Sequence, residues 1–445
     1  TNITVVNYEN SDGKDDVRIR TNGGTLSVDA IDDSIDHFGA ADKVVITAVA
    51  PHSYHEYGTV NGNIEVTKGR IDLASSSNVN VILVNSVATG EVEINVANGS
   101  TIGTIAPTTE AAKTDINSST TIPNEAKSLD VVDQTKTCLF AGGLGTERSP
   151  YLVANINHLK GIGKLGISKN VYVKQISDIT IAGDKSEYKN ASSDYSVIYQ
   201  FKGSYDGNGH SIINSVEVSG ATTWFSLVYK AYGALIKNVN VYLGKTWFNL
   251  VSESCGQSIT FENINFYNNN NSIFEIAGNN YGLLMSYTYS SKVYATNINN
   301  YANINNSGEF SSGIFIGAWY LNKEIVFTNC NNYGNWNGSC GFFNGNKAYV
   351  EPNNGNYNNL VVSNCHNYGT IVGAKVNLLA KDIDESLSYE IELKKTNNFS
   401  GMVKMSQTSG LIKKDASGNI EINNVDGANK YVLTFYYHYS GKYIW

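Results

Sequence analysis

Five short segments of this chain repeat one pattern: Asn238-Val-Asn-Val-Tyr242, Asn263-Ile-Asn-Phe-Tyr267, Asn297-Ile-Asn-Asn-Tyr301, Asn329-Cys-Asn-Asn-Tyr333 and Asn364-Cys-His-Asn-Tyr368. The leading Asn recurs after 25, 34, 32 and 35 residues, within the range of solenoid repeats. Two positions earlier stand Ile236, Phe261, Ala295, Phe327 and Val362, and one position later Val239, Ile264, Ile298, Cys330 and Cys365. Apolar sites three apart cannot share a face of a straight strand. A corner between them puts both inside, and Asn is the non-glycine residue that best tolerates the left-handed conformation such a corner needs. The pattern therefore predicts a stack of parallel coils, each bent at an Asn, with Asn side chains laddered along the axis and each coil burying its apolar faces on the next. Variable spacing then means a constant coil with loops of changing length.

Elsewhere period-2 alternation prevails and no amphipathic helical pattern runs beyond about three turns. Between Asp16 and Pro107 short Val/Ile-rich runs (VRIR, KVVITAV, NIEVTKGRIDL, VNVILV) are punctuated by Gly, Asn and Ser, which suits stacked strands, either a small solenoid or a sandwich. Residues 108–136 carry Thr, Ser and Ala without apolar periodicity and read as a linker. After about Ala374, Lys, Asp and Glu return. The expected organisation is an N-terminal β-rich, solenoid-like module (1–107), a linker (108–136), a parallel β-helix (137–372) and a C-terminal β-sandwich (373–445), whole or truncated. The chain starts at Thr1 in polar sequence and ends in an unfinished strand, as expected of a mature or excised fragment from which an anchor has been cut.

Composition narrows the class. Asn supplies 58 of 445 residues, while charged residues make up 16%, well below the roughly 25% of ordinary globular chains. A hydrophobic content of 41% is too high for disorder, and no apolar run approaches the ~20 residues of a membrane span, so no membrane insertion is expected. The net charge is −8 and the four arginines all lie at or before Arg148, which argues against nucleic acid as a partner. Five cysteines are too sparse for a disulfide scaffold.

Upstream of the repeats the chain reads FAGGLGTERSPYLVANINHLKGI (140–162), YVKQISDITI (172–181), FKGSYDGNGHSI (201–212) and GALIKNVNV (233–241). In this order the motifs resemble the opening of right-handed parallel β-helix domains in secreted and cell-surface proteins of gut Firmicutes and Bacteroidetes, the adhesin-like, GLUG-type group. Trp224-Phe-Ser-Leu-Val228 stands where that group carries its glycine-leucine signature. The resemblance covers about 137–372, with a weaker likeness of the N-terminal part to clostridial surface modules. It implies an all-β fold and an extracellular setting, and leaves activity open, since β-helices host adhesins, lyases and hydrolases alike.

A polysaccharide hydrolase needs two carboxylates across the scissile bond, and a lyase needs a base with cations. Residues 207–381 contain no Asp and no Arg, and their seven Glu are scattered; Glu262 and Glu324 are the pair that neighbouring coils could bring together. Asp206-Gly-Asn-Gly-His210 reads as a capped turn, and His52, His55 and Glu56 lack the helical H-E-x-x-H arrangement of a zinc site. Ser11–Asp16 has oxygen ligands without the spacing of a calcium loop. Cys330 and Cys365 sit at an apolar coil position and are expected to be small buried hydrophobes.

Aromatic residues are the binding candidates. Tyr242, Tyr267, Tyr301, Tyr333 and Tyr368 share one offset and form either an exposed stripe, able to stack on sugars or anchor a protein, or a purely structural ladder. Trp224, Trp247, Trp319 and Trp336 are assigned to inter-coil loops, where surface function usually lives. The expected function is non-catalytic adhesion of a monomer to a glycan or an extracellular protein ligand through these Trp and Tyr residues, with no cofactor, metal or catalytic residue. The alternatives are a polysaccharide-cleaving β-helix enzyme and a structural stalk.

Overall fold

The structure, a computed structural model, describes residues 2–6, 17–30, 34–190, 195–216, 225–244, 248–271, 273–276, 281–289, 292–307, 313–320, 324–338, 340–341, 344–346 and 360–369, and beyond these the backbone of 371–372, 376–377, 389–395, 412–414, 420–422, 431–439 and 442–444. The fold is all-β with sheets of parallel strands; the α-helices Glu110–Ser118, Gln134–Thr137 and Ile156–Ile162 are short. Two compact units divide the chain, the first 1–161 with 171–174 and the second 162–170 with 175–445.

In the first unit every strand pairing among the described residues between Ile3 and Pro107 is parallel, which favours stacked strands over a sandwich. One column of partners runs Ile3, Leu26, Val44, Ile64, Ile82, Ile105, and a second runs Val17, Ile35, Tyr54, Ile71, Ile94. From Leu26 to Ile105 and from Ile35 to Ile94 these side chains are buried and meet in one core. Alternation explains the arrangement, because in-register parallel strands bring every second residue of each rung onto the same inward line.

The linker expected at 108–136 is folded. Thr109 caps the helix Glu110–Ser118 by accepting from the Ala112 N–H at 3.0 Å, as an N-cap Thr should. Ala112, Ile116, Ile122 and Ala126 join the core. Asp115 accepts from Ser86 Oγ (2.8 Å) and from the Gly90 and Val92 N–H groups. The Ser128 N–H donates to Ile105 and that of Val132 to Pro107, closing an edge that would otherwise offer unpaired backbone. A nine-residue helix with two core contacts leaves too little periodicity to register in sequence. The expected division at 137 is corrected accordingly, since residues to 161 group with the first unit.

In the second unit the five Asn-led segments align in register: Ile236–Phe261–Ala295–Phe327–Val362 on one side of the bend and Val239–Ile264–Ile298 on the other. Asn238, Asn263, Asn297, Asn329 and Asn364 all adopt left-handed backbone, with φ between 51° and 56°. Each corner amide donates to the preceding one: Asn263 to Asn238 (3.0 Å), Asn297 to Asn263 (2.9 Å), Asn329 to Asn297 (3.1 Å) and Asn364 to Asn329 (2.6 Å). Asn238 starts the ladder by donating to Asp206 at 3.0 Å. An inner ladder runs the other way, Asn300 to Asn332 and Asn332 to Asn367, both 2.7 Å and buried. Asn332 and Asn367 also donate to the carbonyls of Gly334 and Gly369. A Cβ at Gly369 would stand 1.9 Å from the Gly334 oxygen, so the turn closes this tightly only without a side chain.

Toward the C-terminus the pairing becomes antiparallel, Tyr389–Lys395 with Tyr431–Tyr439 and the latter with Lys442–Ile444. The sandwich expected for 373–445 otherwise lies outside the described residues.

Candidate functional site

Beyond each Asn corner two outward positions follow, two residues apart and therefore on one face of the strand. The first forms an amide column: Asn265 donates to Asn240 (3.0 Å), Asn299 to Asn265 (3.1 Å) and Asn331 to Asn299 (3.1 Å). The next rung replaces Asn with His366, and Asn331 Oδ1, now without an amide above it, has no donor among the described residues. The second position is the tyrosine column. Tyr242–Tyr267, Tyr267–Tyr301, Tyr301–Tyr333 and Tyr333–Tyr368 stack with centroids 5.2, 5.1, 4.8 and 4.9 Å apart and planes within 26° of parallel. Tyr301, Tyr333 and Tyr368 are 41%, 42% and 46% exposed. The stripe is thus an ordered ladder that faces solvent.

Amides border it on both sides. After the tyrosines in the chain, Asn268 Oδ1 accepts the Asn303 N–H at 2.7 Å, and Asn303 Oδ1 accepts the Asn335 N–H at 3.0 Å. Partial burial, then the adjacent phenols, push the Tyr267 and Tyr333 hydroxyls above the ordinary tyrosine range. Those two phenols are therefore neutral at physiological pH.

Of the expected tryptophans, Trp336 is buried, 1% exposed, and is corrected from loop anchor to core residue. It aligns with the buried Ile304 on an inward column, and its strand pairs onward with Ile371–Val372. Trp319 belongs to the strand Ile316–Tyr320 rather than to a loop. Trp224 and Trp247 lie outside the described residues, as does Ser11–Asp16.

The carboxylates do not assemble. Glu262 aligns with Thr296 and Glu324 with Lys292, so they stand on different columns. Glu324 accepts from Tyr294 Oη at 2.7 Å and pairs with Lys292 at 3.4 Å; the phenol hydrogen bond, outweighing the effect of burial, lowers its pKa. Asp206–His210 is a turn in which Asp206 accepts from the Asn208 N–H (2.9 Å), with Asn208 and Gly209 at positive φ. Cys330 and Cys365 are buried, and burial pushes the Cys330 thiol well up, as suits a small hydrophobe.

Two polar clusters of the first unit escape sequence reading. On an inward column, aligned with Ile19 before and Leu73 after, stand His37 and Glu56, both fully buried. His37 Nδ1 lies 2.8 Å from Glu56 Oε2, while Tyr54 Oη donates to the same carboxylate at 2.7 Å and the Gly58 N–H at 2.7 Å. Thr21 Oγ1 donates to the Ala40 carbonyl and sits 2.7 Å from His37 Nε2. Hydroxyl, imidazole and carboxylate thus stand in the order of a nucleophile relay. The ring and carboxylate are closed to solvent and the hydroxyl hydrogen is committed to backbone, so the arrangement holds the core together and meets no substrate.

On the outward column beside it, Arg18, Asp36, His55, Asp72 and Asn95 align. His55 Nδ1 is 2.9 Å from Asp36 and its Nε2 is 3.3 Å from Asp72. With the carboxylates on opposite ring nitrogens the three groups do not converge, and no cluster able to hold a metal is found among the described residues. The two outcomes for PHSYHEYG follow from alternation: His55 points out and Glu56 in. The side chain of His52 lies outside the described residues.

No protein-family model matches the chain, and no curated protein matches it. Among solved structures, a Bacteroides ovatus protein described as a "putative immunoglobulin A1 protease" is similar at 16% identity and a TM-score of 0.32, over 64% of this chain and 95% of that one. Similarity at this level establishes neither a shared fold nor a shared activity. No helix among the described residues is long and apolar enough to cross a membrane.

Proposed function

We propose that this chain is a secreted or cell-surface protein whose second unit is a right-handed parallel β-helix, and that it acts as an adhesin-like binder of an extracellular glycan or matrix protein without catalysis. The observation that carries the reading is the tyrosine ladder: five rings held in register by the rungs beneath them, three of them more than two-fifths exposed. Ordered aromatic surface that costs little side-chain entropy on binding suits recognition. The parallel rungs, the left-handed Asn corners and the resemblance of the opening motifs support the β-helix and its extracellular setting. The separation of Glu262 from Glu324, in a stretch without Asp or Arg, weighs against polysaccharide cleavage.

The test is an array of immobilised glycans and matrix proteins probed with the full chain and with Tyr301→Ala/Tyr333→Ala, circular dichroism confirming that both fold. Retention on a defined class of ligand, lost in the variant, is the expected result. A blank array with folded protein would overturn adhesion and leave the stalk.

A further inference from the structure

The stack that makes the stripe ordered also limits how it can bind. Neighbouring rings are 4.8 to 5.2 Å apart, whereas a guest ring between them would need about 7 Å, two van der Waals separations. Within the stripe the ring faces are closed, and a sugar cannot lie flat on a tyrosine as on a lone exposed aromatic. What remains open is a line of ring edges and phenol hydroxyls. Ring edges carry the positive end of the aromatic quadrupole, and none of the five phenol oxygens is hydrogen-bonded among the described residues. The line therefore favours oxygen atoms over sugar C–H faces.

Its borders point the same way. The columns beside it are amides, Asn240, Asn265, Asn299 and Asn331 on one side and Asn268, Asn303 and Asn335 on the other. Amides both donate and accept, as hydroxyls do. Neither column contains Lys, Arg, Asp or Glu, and His366, on the rung after Asn331, is the one basic side chain beside the stripe among the described residues, so the borders set no permanent charge against a uronate, sulfate or sialate.

From this we infer that the ladder is the docking line for a neutral, extended, β-1,4-linked glycan laid along the stacking axis, one sugar per rung. Such a chain advances by nearly the interval of neighbouring strands in a sheet, ~4.8 Å, with each sugar, and turns each pyranose about half a revolution from the last, so sugars two rungs apart meet the same edge, hydroxyl and amide. The inference rests on the adhesion reading and narrows it to one ligand class and one orientation.

The test is calorimetric titration of the full chain with cellohexaose, mannohexaose, maltohexaose and hexagalacturonate, against wild type, Tyr301→Phe/Tyr333→Phe and Tyr301→Ala/Tyr333→Ala. Cellohexaose or mannohexaose should bind about tenfold or more tightly than maltohexaose, whose α-linkage curls the chain, and than the acidic hexamer. The Phe pair should weaken binding several-fold and the Ala pair about tenfold or more. Equal binding of maltohexaose or hexagalacturonate, or neutral-glycan binding indifferent to both Tyr variants, overturns this inference while leaving glycan adhesion intact. Failure of all four sugars alongside retention of another ligand on the array also overturns it alone. Failure of the sugars together with a blank array overturns adhesion itself.

Discussion

The two units face one problem, polar side chains lined up on the rungs of parallel ladders, and meet it with opposite chemistry. The second unit uses like residues: each Asn amide carries a donor and an acceptor, so Asn238, Asn263, Asn297, Asn329 and Asn364 pair along the column with no change of residue type. The first unit uses unlike residues. Its outward column runs Arg18, Asp36, His55, Asp72, Asn95 and its inward column sets His37 against Glu56 between Ile19 and Leu73. A self-complementary group can be repeated indefinitely, whereas ionic partners must alternate and the column ends where a partner is missing. Where the amide column meets His366, Asn331 Oδ1 is left without a donor among the described residues.

If the first unit depends on unlike partners, breaking one pair should cost most. Glu56→Leu strands the His37 ring in a dry core and is expected to destabilise that unit by about 3–5 kcal/mol, while His37→Leu/Glu56→Leu, flanked by Ile19 and Leu73, recovers most of the loss. Hydrogen exchange of peptides from Ile35–Ala41 and Lys43–Glu56 reads this locally; a double variant no better than the single would break the comparison. In the second unit Asn332→Ala leaves Asn300 Nδ2 and Asn367 Oδ1 each short of one partner, a loss of about 2–3 kcal/mol. Exchange should quicken around residues 300–334, and an unchanged rate would mean that the inner ladder is not structural.

Asn297 separates conformation from hydrogen bonding. Asn297→Ala forces an ordinary residue into left-handed backbone and should cost about 1–2 kcal/mol. Asn297→Gly keeps the conformation and forfeits only the amide contacts, so it should cost less. Equal costs in urea unfolding would show that the amides, not the corner, carry the effect.

The smallest effects lie at the two ends of the pH scale. Burial works upward on Asp72, but hydrogen bonds from Asn95, Arg70 and Ser53 carry its pKa below the usual value. Its contribution is full above the unfolded pKa of about 3.9 and is lost as pH falls through the lower folded value. Tyr267 and Tyr333 are shifted upward, so theirs is full below about 10 and is lost as pH rises through the higher folded values. Acid should therefore loosen Gly69–Leu73 first and alkali the tyrosine ladder. In Tyr301→Ala the Tyr267 and Tyr333 phenols, deprived of a neighbour, should ionise earlier by ring-carbon NMR; no movement would mean that the rings do not sense one another.

The like-residue ladder is also the part that sequence reveals. A column of one residue type writes a period into the chain, so the repeats, the Asn corners, the inward Cys330 and Cys365 and the aligned tyrosines are all legible in the order of residues. The unlike columns leave no period. Nothing near Glu56 marks His37, 19 residues away, as its partner, and the helix Glu110–Ser118 shows only two core residues in nine. Trp336, between Asn335 and Asn337, reads as a loop residue until its alignment with Ile304 turns it inward.

Sequence by itself determined the all-β character, the corners and the axis of stacking, because these follow from alternation and from the backbone that Asn accepts. Only tertiary structure decided which rung lies on which. That register places one His against one Glu, closes the tyrosine faces while leaving their edges open, and buries a tryptophan that the chain alone places at the surface. Register is a property of pairs distant in sequence, and a residue's chemistry does not name its partner unless the partner is its own kind.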